Sequence, residues 1–234
     1  MASESWTHAA LALQLLALDP GLGGICIRAR SGPVRDRLTD LFPLKAQRLH
    51  PAISDEALFG GLDLSATLAN GHLVQEKGLL ATPGPMILAM AERATTGLAA
   101  RLAVALDRNN DHCLIALDEG AEPDEVLNPK LAERLAFHVD LSQCGLNDIS
   151  NLVARAKAPI ALNDVAMPAD IVAQVTRIAN DLGIDSMRAP LFAMRAARAH
   201  TAFAGRNTVT QDCLLYTSDA ADDPTLVEIG VGGG

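Results

Sequence analysis

The apolar run Gly24–Arg28, the loop Ala29-Arg30-Ser31-Gly32-Pro33 and a helix expected over Val34–Leu41 follow one another as strand, glycine loop and helix. Phosphate-binding loops are built in that order. A working loop reads G-x-x-x-x-G-K-[ST]: its backbone N–H groups cradle phosphate, its lysine reaches the β- and γ-phosphates, and its hydroxyl holds Mg²⁺. Here only Gly32 suits the motif. Pro33 has no N–H to offer. Arg35 stands where the lysine belongs, and Asp36 puts a negative charge where the hydroxyl belongs. The loop reads as a degenerate nucleotide site.

A second string with chemical potential is Leu114-Ile115-Ala116-Leu117-Asp118-Glu119. Taken alone it has the form of a Walker B strand, with Asp118 on Mg²⁺ and Glu119 polarising water. The same string arises wherever a buried strand ends in a polar turn. Chain order argues against the metal role. An earlier strand, expected over Pro85–Met90, ends in Ala91-Glu92, and there Ala91 takes the place of the metal-binding Asp. Asp63-Leu64-Ser65-Ala66-Thr67 matches the D-x-S-x-[ST] cation loop of integrin-like domains. That loop must follow a buried strand, whereas this string follows Gly60-Gly61 and runs into a helix, so it reads as coincidence. Cys26, Cys113, Cys144 and Cys213 form no C-x-x-C pair, and the six histidines make no ligand pattern. No metal site is expected.

The elements that must position these residues read as an α/β core. A helix is expected over Trp6–Leu18, ended by Asp19-Pro20-Gly21. Buried strands are expected at Gly24–Arg28, Pro85–Met90, His112–Leu117 and Phe137–Leu141, with helices at Leu64–Ala69, Thr96–Leu106 and Pro129–Leu135 between them. From about Leu146 only helices are expected: Asp148–Ala156, Pro168–Leu182 and Met187–Ala204, then a new one capped by Thr210. The domain reading is a core over 1–145 and a helical lid over 146–212. Residues 213–234 break the periodicity and resemble a translated sequencing adapter, so they are set aside as a non-native tail.

Composition bounds the function classes. The 234 residues are 49% hydrophobic and 20% charged, enough for a sizeable core, which the 3% aromatic content leaves to aliphatic residues. A formal net charge of −9 argues against non-specific nucleic-acid binding, which needs clustered Lys and Arg. With no apolar run of spanning length and no signal-peptide pattern, the expected location is the cytoplasm, or the plastid stroma in a eukaryote.

Asp19–Ile25, Ser31–Asp36, Asp55–Leu64, Leu114–Gly120 and Met187-Arg188-Ala189 together resemble the D subunit of magnesium chelatase. The Gly-Pro-Val-Arg-Asp loop is similar to D rather than to its ATPase sister, the I subunit. The resemblance implies an AAA+ P-loop NTPase-like core with a parallel sheet and a small all-α lid. It implies a platform subunit that assembles with the I subunit in a two-tiered ring. The ring drives the porphyrin-binding H subunit to insert Mg²⁺ into protoporphyrin IX, on the way to chlorophyll or bacteriochlorophyll.

ATP and Mg²⁺ then act at the level of the complex. Gly32, Arg35, Glu92, Asp118 and Arg188 would form the degenerate nucleotide site, with Asp118 and Glu119 at the sensor-1 position. Arg188 resembles sensor 2, acting in cis or at an interface. Asn128–Leu135 is similar to the helix that carries the arginine finger, which makes Arg134 the candidate finger acting in trans. The resemblance implies that a full D subunit continues into a Pro-rich acidic linker and an integrin-like domain, and the matching residues stop before both. The rival expectation is a free-standing MoxR-like AAA+ ATPase acting as a chaperone, which would need a working phosphate loop.

Overall fold

A computed structural model describes residues 4–108, 111–122, 124–149 and 158–211. Five strands, β1 (Gly24–Arg28), β2 (Gln47–Leu49), β5 (Pro85–Leu88), β6 (Cys113–Asp118) and β7 (Phe137–Asp140), form one sheet in the order β2-β5-β6-β1-β7. Every pairing in it is parallel. Four of the strands lie where the apolar runs predict them. The fifth, β2, is an edge strand of three residues whose Gln47 and Arg48 hide it from any hydropathy pattern.

The sheet is buried on both faces, as a parallel sheet joined by crossover helices must be. Alternate side chains take opposite faces. Ile25, Ile27, Ile87, Ile115 and Leu117 pack on one side with Trp6, Leu13 and Leu16 of helix α1 (Glu4–Leu18). Cys26, Met86, Leu88, Leu114 and Ala116 pack on the other with Leu98, Leu102 and Leu106 of helix α5 (Thr96–Arg108) and with Leu131 of the short α6 (Pro129–Ala132). Trp6 is fully buried, so the chain's only tryptophan anchors the aliphatic core.

Helix α2 (Pro33–Asp40) follows β1. Between β2 and β5 lies a smaller unit of α3 (Asp55–Phe59), β3 (Gly60–Leu62), α4 (Leu64–Asn70) and β4 (Gln75–Lys77), with β3 and β4 paired antiparallel. The sequence patterns predict α4 but not this hairpin, whose strands are glycine-rich or fully polar. Asp63 caps α4 by accepting from Ala66 N at 2.8 Å, and Thr67 Oγ1 accepts from Val74 N at 3.0 Å. The D-x-S-x-[ST] string is thus a helix start in a hairpin.

The C-terminal part is helical: α7 (Ala169–Asp181) and α8 (Arg188–Phe203), close to their expected bounds. They share a cluster of Val165, Ile171, Val175, Ala197, Ala202 and Val209. Helix α8 also turns Ala196 and Ala199 into the main core beside α1. Of the helix expected over Asp148–Ala156, Leu146–Asp148 form a 3-10 turn and 150–157 lie outside the described residues. The helix expected after Thr210 and the tail over 213–234 lie outside them too, apart from Gln211.

Candidate functional site

The predicted site residues sort to the two ends of the sheet. At the C-terminal ends of β1, β5 and β6 stand Gly32, Arg35, Glu92, Asp118 and Glu119. Gly32 precedes α2, and Pro33 fills the first helical position, where its missing N–H removes one of the donors an anion would use. Arg35 is almost fully buried, with 11% of its side chain exposed. Its Nη1 donates to Glu119 Oε1 in a close ion pair, and its Nη2 donates to Ser31 Oγ at 2.8 Å. Glu119 therefore offers Arg35 internally the negative charge that a phosphate brings to a P-loop lysine.

The other acids are engaged in the scaffold. Glu92 follows a residue in a rare backbone conformation, Met90 at φ 47°, and the buried Ala91. Its side chain is 3% exposed and accepts from Glu119 N at 3.0 Å, tying the β5 end to the β6 end. Asp118 Oδ1 accepts from Gly120 N at 2.8 Å. Burial pushes the Asp118 carboxyl above its ordinary range; the Gly120 hydrogen bond and Arg28 oppose this, and Glu92 and Asp140 add to it. Arg28 Nη2 donates to the carbonyls of Gly120 and Glu122 at 3.1 and 3.3 Å.

This set does not fit a Mg²⁺-bound triphosphate. It offers carboxylates where phosphate would lie, its one well-placed cation is already paired, and it has no lysine or hydroxyl in the required places. Among the described residues no group of three His, Cys, Asp or Glu side chains could hold a metal ion. Burial pushes the Cys113 thiol up to about 12, which disfavours the thiolate.

Arg188 does not join this cluster, which corrects the grouping expected from sequence. It opens α8 beside Gly21, Gly23, Asp107 and Arg134, at the N-terminal end of the sheet. The lid helix is fixed there. Arg195 donates from Nε to Asp19 Oδ2 at 2.9 Å and from Nη2 to Asp19 Oδ1 at 2.5 Å. That fork clamps α8 to the turn before β1, and Arg188 is paired to Asp107 at the same end.

At that same end Arg188 meets Arg134. Arg134 lies after α6, just before β7, and its Nε and Nη2 donate to Asp107 Oδ2 at 3.0 and 2.7 Å. Its Nη1 donates to Lys130 O at 2.6 Å. Arg188 Nη1 lies 3.1 Å from Asp107 Oδ1. Burial would raise the Asp107 carboxyl, but hydrogen bonding and charge from Arg134, then Arg188, outweigh it and hold it below its ordinary range.

These side chains line a cleft of about 180 Å³ with Gly21, Gly23, Leu191, Phe192 and Arg195. Gly23 is required there. Its φ is +75°, and a Cβ would sit 1.9 Å from the Arg134 carbonyl oxygen. Leu191, 54% exposed, leaves apolar surface at the cleft. Asp107 and the Asp19–Arg195 pair were not legible as site residues: Asp107 reads as a charge at a helix end, and Asp19 as a helix terminator.

The AAA lid domain family matches residues 172–215. The chain is 46% identical over 224 residues to the magnesium-chelatase 60 kDa subunit of Cereibacter sphaeroides, an alignment covering 92% of this chain and 40% of the relative. With the 60 kDa subunit of Rhodobacter capsulatus it shares 44% over 218 residues, 89% of this chain and 39% of the relative. The chain thus spans about two fifths of the length of these relatives. The magnesium-chelatase 67 kDa subunit of Chlorobaculum parvum is 39% identical over 75 residues, 30% of this chain and 12% of the relative.

The crystal structure of a protein named as an ATPase, from Cytophaga hutchinsonii, superposes with a TM-score of 0.66 at 13% identity, covering 93% of this chain and 81% of that one. The parallel five-stranded sheet, the lid match and this superposition make the chain an AAA+ α/β core followed by a helical lid.

Proposed function

We propose that the chain is the AAA+ part of a magnesium-chelatase platform subunit of the D type. In this reading it does not turn over ATP itself. It supports ATP-driven insertion of Mg²⁺ into protoporphyrin IX, the nitrogen–metal ligase step toward chlorophyll or bacteriochlorophyll, within a complex with I and H subunits. ATP and Mg²⁺ are held by the ATPase partner.

The observation that carries the reading is the separation of the two ends. Arg35 is paired to Glu119 where a phosphate would lie, while Arg134 and Arg188 converge on one open cleft at the far edge of the sheet. A guanidinium presented at an edge can neutralise charge developing on a neighbour's nucleotide, as an arginine finger does. The exposed Leu191 beside it suits a surface covered by another subunit. The relatives' names support the chelatase assignment. A free-standing MoxR-like ATPase would need the phosphate loop that Arg35 and Glu119 close off.

The direct test is co-purification of the protein with a cognate I subunit, with and without Mg-ATP. The expected result is a stable complex in Mg-ATP. Failure to associate under both conditions contradicts the proposal.

A further inference from the structure

We infer that Asp107 is a positioning residue: it holds Arg134 and Arg188 together at one cleft, so that both guanidiniums are in place when a neighbouring subunit's phosphate arrives. This rests on the reading of the two arginines given above.

One carboxylate serves two cations from different parts of the chain. Asp107 ends α5, Arg134 follows α6, and Arg188 begins α8. Oxygen Oδ2 takes two N–H groups of Arg134, and Oδ1 faces Arg188. Arg195, the third arginine in the cleft, is engaged by Asp19 and does not compete. Of the five N–H donors on Arg134, three are held by Asp107 and Lys130, and Glu133 Oε2 lies 4.0 Å from Nη1; the other two are those that an incoming anion would meet.

The arrangement differs from an ordinary surface ion pair. Long arginine side chains lose rotamer freedom when ordered, and two guanidiniums in one cleft repel. A shared carboxylate removes both obstacles before the partner docks, which is preorganisation of a charge-stabilising group. Without it, each arginine can still be drawn to phosphate, but from a disordered start and against its neighbour's charge.

The test uses the full-length natural protein assembled with its ATPase partner subunit, comparing wild type, Asp107→Asn, Asp107→Glu and Arg134→Ala. ATP turnover is measured per assembled complex across Mg-ATP concentrations. Asp107→Asn keeps the size but cannot hold two cations. It is expected to lower kcat and kcat/KM together on the order of 10-fold, with KM nearly unchanged, since the arginines act in the transition state. Asp107→Glu is expected to restore part of the loss, and Arg134→Ala to cost more than Asp107→Asn.

If Arg134→Ala impairs turnover while Asp107→Asn matches wild type, the positioning role is overturned and the finger stands. If neither changes turnover, both fall. If Asp107→Asn impairs turnover and Arg134→Ala does not, Asp107 acts by another route and the inference is overturned. A loss of melting temperature or of complex formation with unchanged kcat per complex marks Asp107 as merely structural and also overturns it.

Discussion

Arg35, in the first turn of α2, is ion-paired to Glu119 just beyond the end of β6, so a residue at the P-loop lysine position is neutralised from within the chain. Glu119 is itself held through its backbone N–H by the buried Glu92. The isolated protein is therefore expected to hydrolyse ATP negligibly. A steady-state ATPase assay giving turnover in the range of about 1–100 s⁻¹, usual for phosphoryl-transfer enzymes, would refute this.

The clamp between Asp19 and Arg195 is expected to fix the lid helix. Arg195→Met keeps the apolar stem but leaves the buried Asp19 carboxylate without its charged partner. The loss should be about 2 kcal/mol, or roughly 4–8 °C in melting temperature for a domain of this size. Thermal unfolding followed by circular dichroism checks it; an unchanged midpoint contradicts the clamp.

Gly23→Ala is expected to be as damaging. The added methyl meets the Arg134 carbonyl, a backbone atom that cannot swing away, and φ +75° with ψ −42° is a conformation that side-chain-bearing residues rarely adopt. A cost of about 2 kcal/mol or more follows from the strain and the clash. Gly71→Ala, at φ +65° and ψ 13° in the left-handed helical well with nothing within 4 Å, is expected to cost less. Equal losses at the two positions would show that the contact with Arg134 is unimportant.

The buried Asp118 makes a pH-dependent prediction. Its pKa is raised on folding, chiefly by burial, so the native state binds its proton more tightly than the unfolded chain does. The stabilisation that this brings is complete below the unfolded carboxyl value of 3.8 and is lost as pH rises through the higher folded value. Asp118→Asn keeps an oxygen for the Gly120 N–H and removes the charge. The variant is expected to match or exceed wild-type stability at pH 7, with that advantage shrinking toward pH 4. Urea unfolding at several pH values tests this, and an advantage that grows on acidification contradicts it.

The central strands were legible because they carry their signal in nearly every residue. Cys113–Asp118 is buried throughout, and an uninterrupted apolar run between a polar turn and Asp-Glu leaves little choice. The hairpin was not legible, because Gly60-Gly61 and Gln75-Glu76-Lys77 pair through backbone alone. The site was legible by motif and not by place. Pro33, Arg35 and Asp36 read as a degenerate phosphate loop, and only the family resemblance of Met187-Arg188-Ala189 marks Arg188. Which end of the sheet Arg188 occupies depends on Asp19 and Arg195, 176 positions apart, and no local pattern links two charges at that separation.

The central claim is that this chain, unable to use nucleotide at its own loop, completes the site of a neighbour through Arg134. The most direct measurement is ATP turnover by the partner ATPase subunit, saturated with either wild-type protein or Arg134→Ala, after circular dichroism and co-purification show that both fold and assemble. The loss at each served site should be roughly 10³–10⁵-fold, diluted in bulk by sites this chain does not serve, so a clear drop in turnover is expected. Equal turnover with both proteins would mean that Arg134 only bridges Asp107 and Lys130 within its own chain.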